Sequence, residues 1–180
     1  MQEKNTKVDR PGYEYLVVYM LGKVIQDLTV EFCKHWIKSI KLRDQMEGAA
    51  RSNPQNIAEG STQPSLKGYI KLSGIAHGSN EELTKDFEDF LRQRGLPIWD
   101  KNHLKIREFR EFRVVWTGQN SLNTPELPND SVEAANMLLT FCNQEGYLLR
   151  KHVESLKRKH ETEGGLTERL YRRRREYRGF

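Results

Sequence analysis

Arg51-Ser52-Asn53-Pro54-Gln55-Asn56-Ile57-Ala58-Glu59-Gly60-Ser61 lies between two helical patterns, yet it is not ordinary loop sequence. Ile57 and Ala58 are apolar and suit a core. Asn56 and Glu59 are three apart, so on a helix they share a face. Gly60 then permits the left-handed turn that closes a helix. Pro54 removes one backbone donor, so a kink or a loosened turn is expected there. A polar pair beside core residues, just before a helix end, points to a specific hydrogen-bond role. The rest of the chain reads as a helical bundle built around this corner.

Upstream, residues 1–10 read as a short disordered lead and Pro11-Gly12 as a turn. From Tyr13 the period is helical, with Val17, Leu21, Val24, Leu28, Phe32 and Trp36 recurring every three or four residues. A weak break at Ser39-Ile40-Lys41 leads into a second helix bearing Leu42, Met46, Ala49 and Ala50. Downstream, Thr62-Gln63-Pro64-Ser65 reads as a turn and a helix start, and the third helix stops before Gly95 and Pro97. Its interior glycines Gly68, Gly74 and Gly78 cost about 1 kcal/mol each against Ala, so close approach of another helix is expected. Asp100 is expected to cap a helix reaching Trp116, followed by a surface loop over 118–129. Asp130, with Glu133 three residues on, has the spacing of a capping box. Val132, Ala135, Leu139, Cys142, Gly146, Leu149, Val153 and Leu156 then hold a heptad seam, with room at Cys142 and Gly146 for aromatic rings from other helices. Gly164-Gly165 ends that helix, and Thr167 can cap a last one carrying Arg172–Arg175. The fold class is all-α: an up-and-down four-helix bundle over 1–160, an inserted helix within 97–128, and a basic helical suffix over 161–180.

At 180 residues, 36% hydrophobic and 31% charged, the chain is on the polar side for a globular domain, as long amphipathic helices with wide wet faces would be. The net charge of +5 is unevenly placed. From Arg150 to Phe180 there are 11 Lys/Arg and 5 Asp/Glu, leaving 19 basic and 20 acidic residues in 1–149. Cys33 and Cys142 sit among apolar residues and read as buried thiols rather than a disulfide. The polar start Met-Gln-Glu-Lys-Asn-Thr-Lys lacks an apolar signal core, and no run nears the roughly 18 apolar residues of a membrane span. A cytoplasmic protein without membrane contact is expected.

Leu42-Arg43-Asp44-Gln45-Met46, Ala49-Ala50, Ser52, Pro54 and Asn56-Ile57-Ala58-Glu59-Gly60, with Gly74-Ile75-Ala76-His77-Gly78-Ser79 and Glu81-Glu82-Leu83 downstream, resemble a bacterial family of small four-helix-bundle proteins, the 23S rRNA intervening-sequence proteins. Accessory variability proteins of diversity-generating retroelements are relatives. The similarity covers about 13–95 and 130–160. It implies an up-and-down bundle, a homo-oligomeric ring (usually a pentamer), and for the retroelement relatives a non-enzymatic partnership with a reverse transcriptase. Residues 97–128 and 161–180 depart from the pattern.

Neither catalysis nor a cofactor is expected. Asn56 and Glu59 have no nucleophile or base at a recognisable spacing, so a structural role is preferred, shared with Gly60, Gly74, Gly78 and Ser79. His35, His77, His103, His152 and His160 include no i, i+4 pair, so no metal site is expected. Arg172, Arg173, Arg174 and Arg175, beside Tyr171 and Tyr177, suit phosphate contacts with base stacking. Arg169, Arg178, Lys157, Arg158 and Lys159 extend that patch, and Leu166, Leu170 and Tyr177 would dock the segment on the bundle. The expected function is a non-enzymatic accessory protein that binds DNA or RNA with little specificity. The alternative is a protein-interaction scaffold.

Overall fold

The computed structural model describes residues 9–179. Met1–Val8, most of the expected disordered lead, and Phe180 lie outside the described residues. After a 3-10 turn at Gly12–Tyr15, the helices are α1 (Val17–Trp36), α2 (Ile40–Ser61), α3 (Leu66–Gln93), α4 (Leu104–Arg110), α5 (Ser131–Glu163) and α6 (Leu166–Arg178). The chemistry at the ends explains the boundaries. Ser39 accepts from Leu42 N at 3.3 Å and Ser65 from Gly68 N at 3.2 Å, so each hydroxyl satisfies a donor the helix leaves orphaned. Asp130 does the same for Val132 N and Glu133 N. Gly95 and Gly164 follow α3 and α5 with φ of +64° and +76°.

α1, α2, α3 and α5 form the bundle. α1 and α3 each pack against α2 and α5. Two apolar clusters fill it. The larger holds Phe32 of α1, Met46 of α2, Phe87 and Phe90 of α3 and Leu138 of α5. Phe32 meets Phe87 and Phe90 edge-on at 5.1 and 4.9 Å. The smaller takes one residue from each helix: Val18, Ile57, Ala76 and Leu149. α1 and α3 run from the small cluster to the large one, and α2 and α5 run back, which is the up-and-down topology. α5 is buried on every side from Ala134 to Cys142, because helices and the 94–130 connection surround it there.

Several local expectations change. Pro54 is buried inside an unbroken α2; the helix runs seven residues past it. Gly60 is helical, not left-handed. Its requirement is space: a Cβ there would come 2.8 Å from Tyr69 Cε2. Gly74 and Gly78 have nothing within 4 Å of such a Cβ, so no helix of this chain approaches them. Gly146 makes room for Asn80 and Glu81 of α3, not for an aromatic ring. The helix expected from Asp100 to Trp116 shrinks to α4. Asp100 instead accepts from Asn102 N at 2.9 Å in a local turn. Past α4, the Asn123 side chain bonds Val115 N and Arg113 O, which holds β-branched Val114 and Val115 extended. Trp116 then bridges Leu122 and donates to Glu14 O at 2.9 Å, while Arg10 stacks over its ring at 3.8 Å. α6 begins at Leu166 with Gly165 as its cap, so Thr167 lies inside the first turn.

Candidate functional site

Between the two apolar clusters lies a layer of polar groups. Asn53 of α2, Asn80 of α3 and Glu145 of α5 are buried there, and Gly22 of α1 leaves room beside Asn53. Asn53 Nδ2 donates to Glu145 Oε1 at 3.1 Å, and Asn80 Nδ2 donates to the Cys142 carbonyl at 2.9 Å. Glu145 is fully buried and has no ion-pair partner among the described residues. Burial pushes its carboxyl well above the usual carboxylate range, against a smaller opposing effect of the Asn53 bond. That environment favours the protonated, neutral form of the acid. Glu145 Oε2 and the Oδ1 atoms of Asn53 and Asn80 are buried without a partner.

This layer replaces the pair expected from sequence. Asn56 Nδ2 donates to Ser52 O at 2.8 Å and to Ser52 Oγ at 3.0 Å. Ser79 Oγ donates to Ser52 Oγ at 2.8 Å, so Ser52 joins Asn56 to Ser79. These bonds do not replace the donor lost at Pro54, whose helical acceptor is the Ala50 carbonyl. Glu59 is exposed, and only its carbonyl takes part, accepting from Thr62 Oγ1 at 2.8 Å. Asn53 was inside the quoted stretch, and Glu145 interrupts the seam between Cys142 and Leu149. That charged residue at an inward position was the sign available in the sequence.

The thiols are free and buried, Cys33 being pushed up to about 12 mainly by burial. Among the described residues no three His, Cys, Asp or Glu side chains form a group able to hold a metal ion, and no helix is long and apolar enough to cross a membrane.

The basic residues gather at the small-cluster end. α5 continues past its last buried residue, Leu156, and carries Lys157, Arg158 and Lys159 on its exposed turns. The Gly164-Gly165 break turns the chain, Glu168 caps the Gly165 N–H at 2.9 Å, and Arg172 Nη2 holds Glu163 O at 3.0 Å. α6 has no buried residue. Leu166, Leu170 and Tyr177 are exposed, Tyr177 at 93%, so the expected docking on the bundle does not occur. Among the described residues Arg169, Arg172, Arg173, Arg174, Arg175 and Arg178 form no ion pair within 4 Å. Lys159 and Arg169 meet across a small groove with Ser65 and Tyr69 at the α2–α3 turn.

An all-α bundle with a buried polar layer in its core and an exposed cationic helix at one end defines the class. The family described as 23S rRNA-intervening sequence protein matches residues 16–103, which takes in α1, α2 and α3. Over these residues the chain is similar to that family. The matched span passes residue 97, where the departure was expected, and does not take in the 130–160 stretch. No curated protein and no solved structure matches the chain.

Proposed function

We propose that this protein is a non-enzymatic accessory factor that binds nucleic acid through α6 and the adjoining end of α5. The observation that carries the reading is the undocked helix. α6 has no buried residue, and among the described residues none of its six arginines has a carboxylate partner, Arg172 reaching only the Glu163 carbonyl. Cations left in water are free to displace the counterions of a phosphate backbone. Tyr171 and Tyr177 are exposed among them and offer rings to unpaired bases. The family is RNA-related by its description, which makes RNA the first nucleic acid to try.

We further propose a homo-oligomer, a ring of five by resemblance, gathering several copies of α6 so that weak contacts add by avidity. A reverse transcriptase or an RNA-processing enzyme is the protein partner proposed, in the cytoplasm. The experiment is a titration of labelled single- and double-stranded RNA and DNA at about 50 mM and about 200 mM salt. The reading requires binding that weakens steeply with salt and varies little with sequence. Absence of binding to every probe at the lower salt contradicts it and leaves the scaffold alternative.

A further inference from the structure

The 94–130 connection encloses a second site, one no family resemblance assigns. Between it and the faces of α1 and α5 lies a cleft of about 710 Å³. That volume is within the range of pockets that take small organic ligands. Its lining is largely apolar, with Leu21 of α1 and Leu139 of α5 on the bundle side, Ile106 and Phe112 on the side of the connection, and Trp99 and Tyr147 beside them.

The roof is fixed rather than draped. Asn136 Oδ1 accepts from Trp99 N at 2.8 Å, and its Nδ2 donates to Pro97 O at 3.0 Å. Gln144 Nε2 donates to Arg110 O at 3.3 Å, and Lys105 pairs with Glu133 at 3.3 Å. Phe109 and Phe112 of the connection pack against the large apolar cluster, which holds it on the bundle.

Its charge is one-sided. Lys101, Arg110 and Arg113 line it, and none has a carboxylate within ion-pair distance among the described residues. Arg113 reaches only the carbonyls of Arg110 and Phe112. The one acid in the lining, Glu88, is already paired with Lys85 at 2.7 Å. We infer that the cleft binds a small organic anion, an apolar body with one carboxylate or sulfonate group, whose body lies against Leu21 and Leu139 and whose charge meets Arg110 and Arg113. Guanidinium groups match the planar two-oxygen geometry of a carboxylate.

The test uses the full chain and two fluorescent probes of similar body, anionic 1-anilinonaphthalene-8-sulfonate and uncharged N-phenyl-1-naphthylamine. The anionic probe should bind saturably, one per chain, and decanoate should displace it. Arg110→Gln with Arg113→Gln should weaken the anionic probe about tenfold, a loss expected for a charge-assisted contact, and leave the uncharged probe within twofold. Asn143→Trp, at an exposed position of α5 in the cleft lining, should block both probes while far-ultraviolet circular dichroism stays unchanged. Overturning results are absence of saturable binding, as when a second copy fills the cleft, or equal loss of both probes in the arginine variant. Undiminished binding by a folded Asn143→Trp chain would also place the probe elsewhere.

Discussion

Glu145 is the residue on which the core turns. Its proton is held by burial, so the folded chain keeps a proton that the unfolded chain releases above the ordinary carboxylate range. The raised folded value means that this residue's contribution is fully present below its unfolded value. It is lost as pH rises through the folded one. Glu145→Gln imitates the neutral acid and removes that titration. Its melting temperature should exceed that of the parent chain at about pH 8, by an amount worth about 1–3 kcal/mol, and the gap should narrow at about pH 5. Equal gaps at the two pH values would show that Glu145 is not held neutral. In the same series Glu59→Gln should melt with the parent, because its carboxylate is exposed and makes no side-chain bond. His152 titrates with the opposite sign, since burial lowers its value and its contribution is lost as pH falls. Comparing each variant with its parent at one pH removes that background.

The helices themselves were legible from period and caps. Val17 to Trp36, Ser39, Ser65 and Asp130 mark their elements by chemistry that acts within four residues. The partnership of Asn53 with Glu145 was not legible, because 92 residues separate them and nothing local distinguishes Asn53 from Asn56. The helix expected to reach Trp116 failed for a similar reason. Its apolar spacing is helical, but Asn123 and Trp116 form bonds with distant backbone that favour an extended chain. Asn136 ties that connection to α5 with a side chain that is 1% exposed. Asn136→Ala strands Trp99 N and Pro97 O and should cost about 1–3 kcal/mol. Hydrogen exchange should then speed up over residues 97–112 while α2 and α3 keep their protection. Uniform acceleration along the chain would mean that the connection and bundle unfold as one unit.

The whole chain divides its labour between a neutral core and a charged end. Residues 1–149 are nearly balanced in charge, and the excess lies from Arg150 onward. Exposed Ile40 and Ile75, at 74% and 44%, and the open positions at Gly74 and Gly78 leave apolar and small surface without cover in one chain. Light scattering behind a sizing column should therefore give a mass several times the 21.1 kDa of one chain at micromolar concentration. A mass of one chain would remove the ring and the avidity drawn from it. The cationic helix α6 contains no buried residue of its own, so its removal leaves the four bundle helices whole. The direct measurement is the affinity of the full chain and of a chain ending at Gly164 for one labelled RNA at about 50 mM salt, with the slope of log affinity against log salt for each. The shorter chain should lose most of the affinity and show a shallower slope, with its melting temperature unchanged. Equal affinities and equal slopes for the two chains would contradict binding through α6.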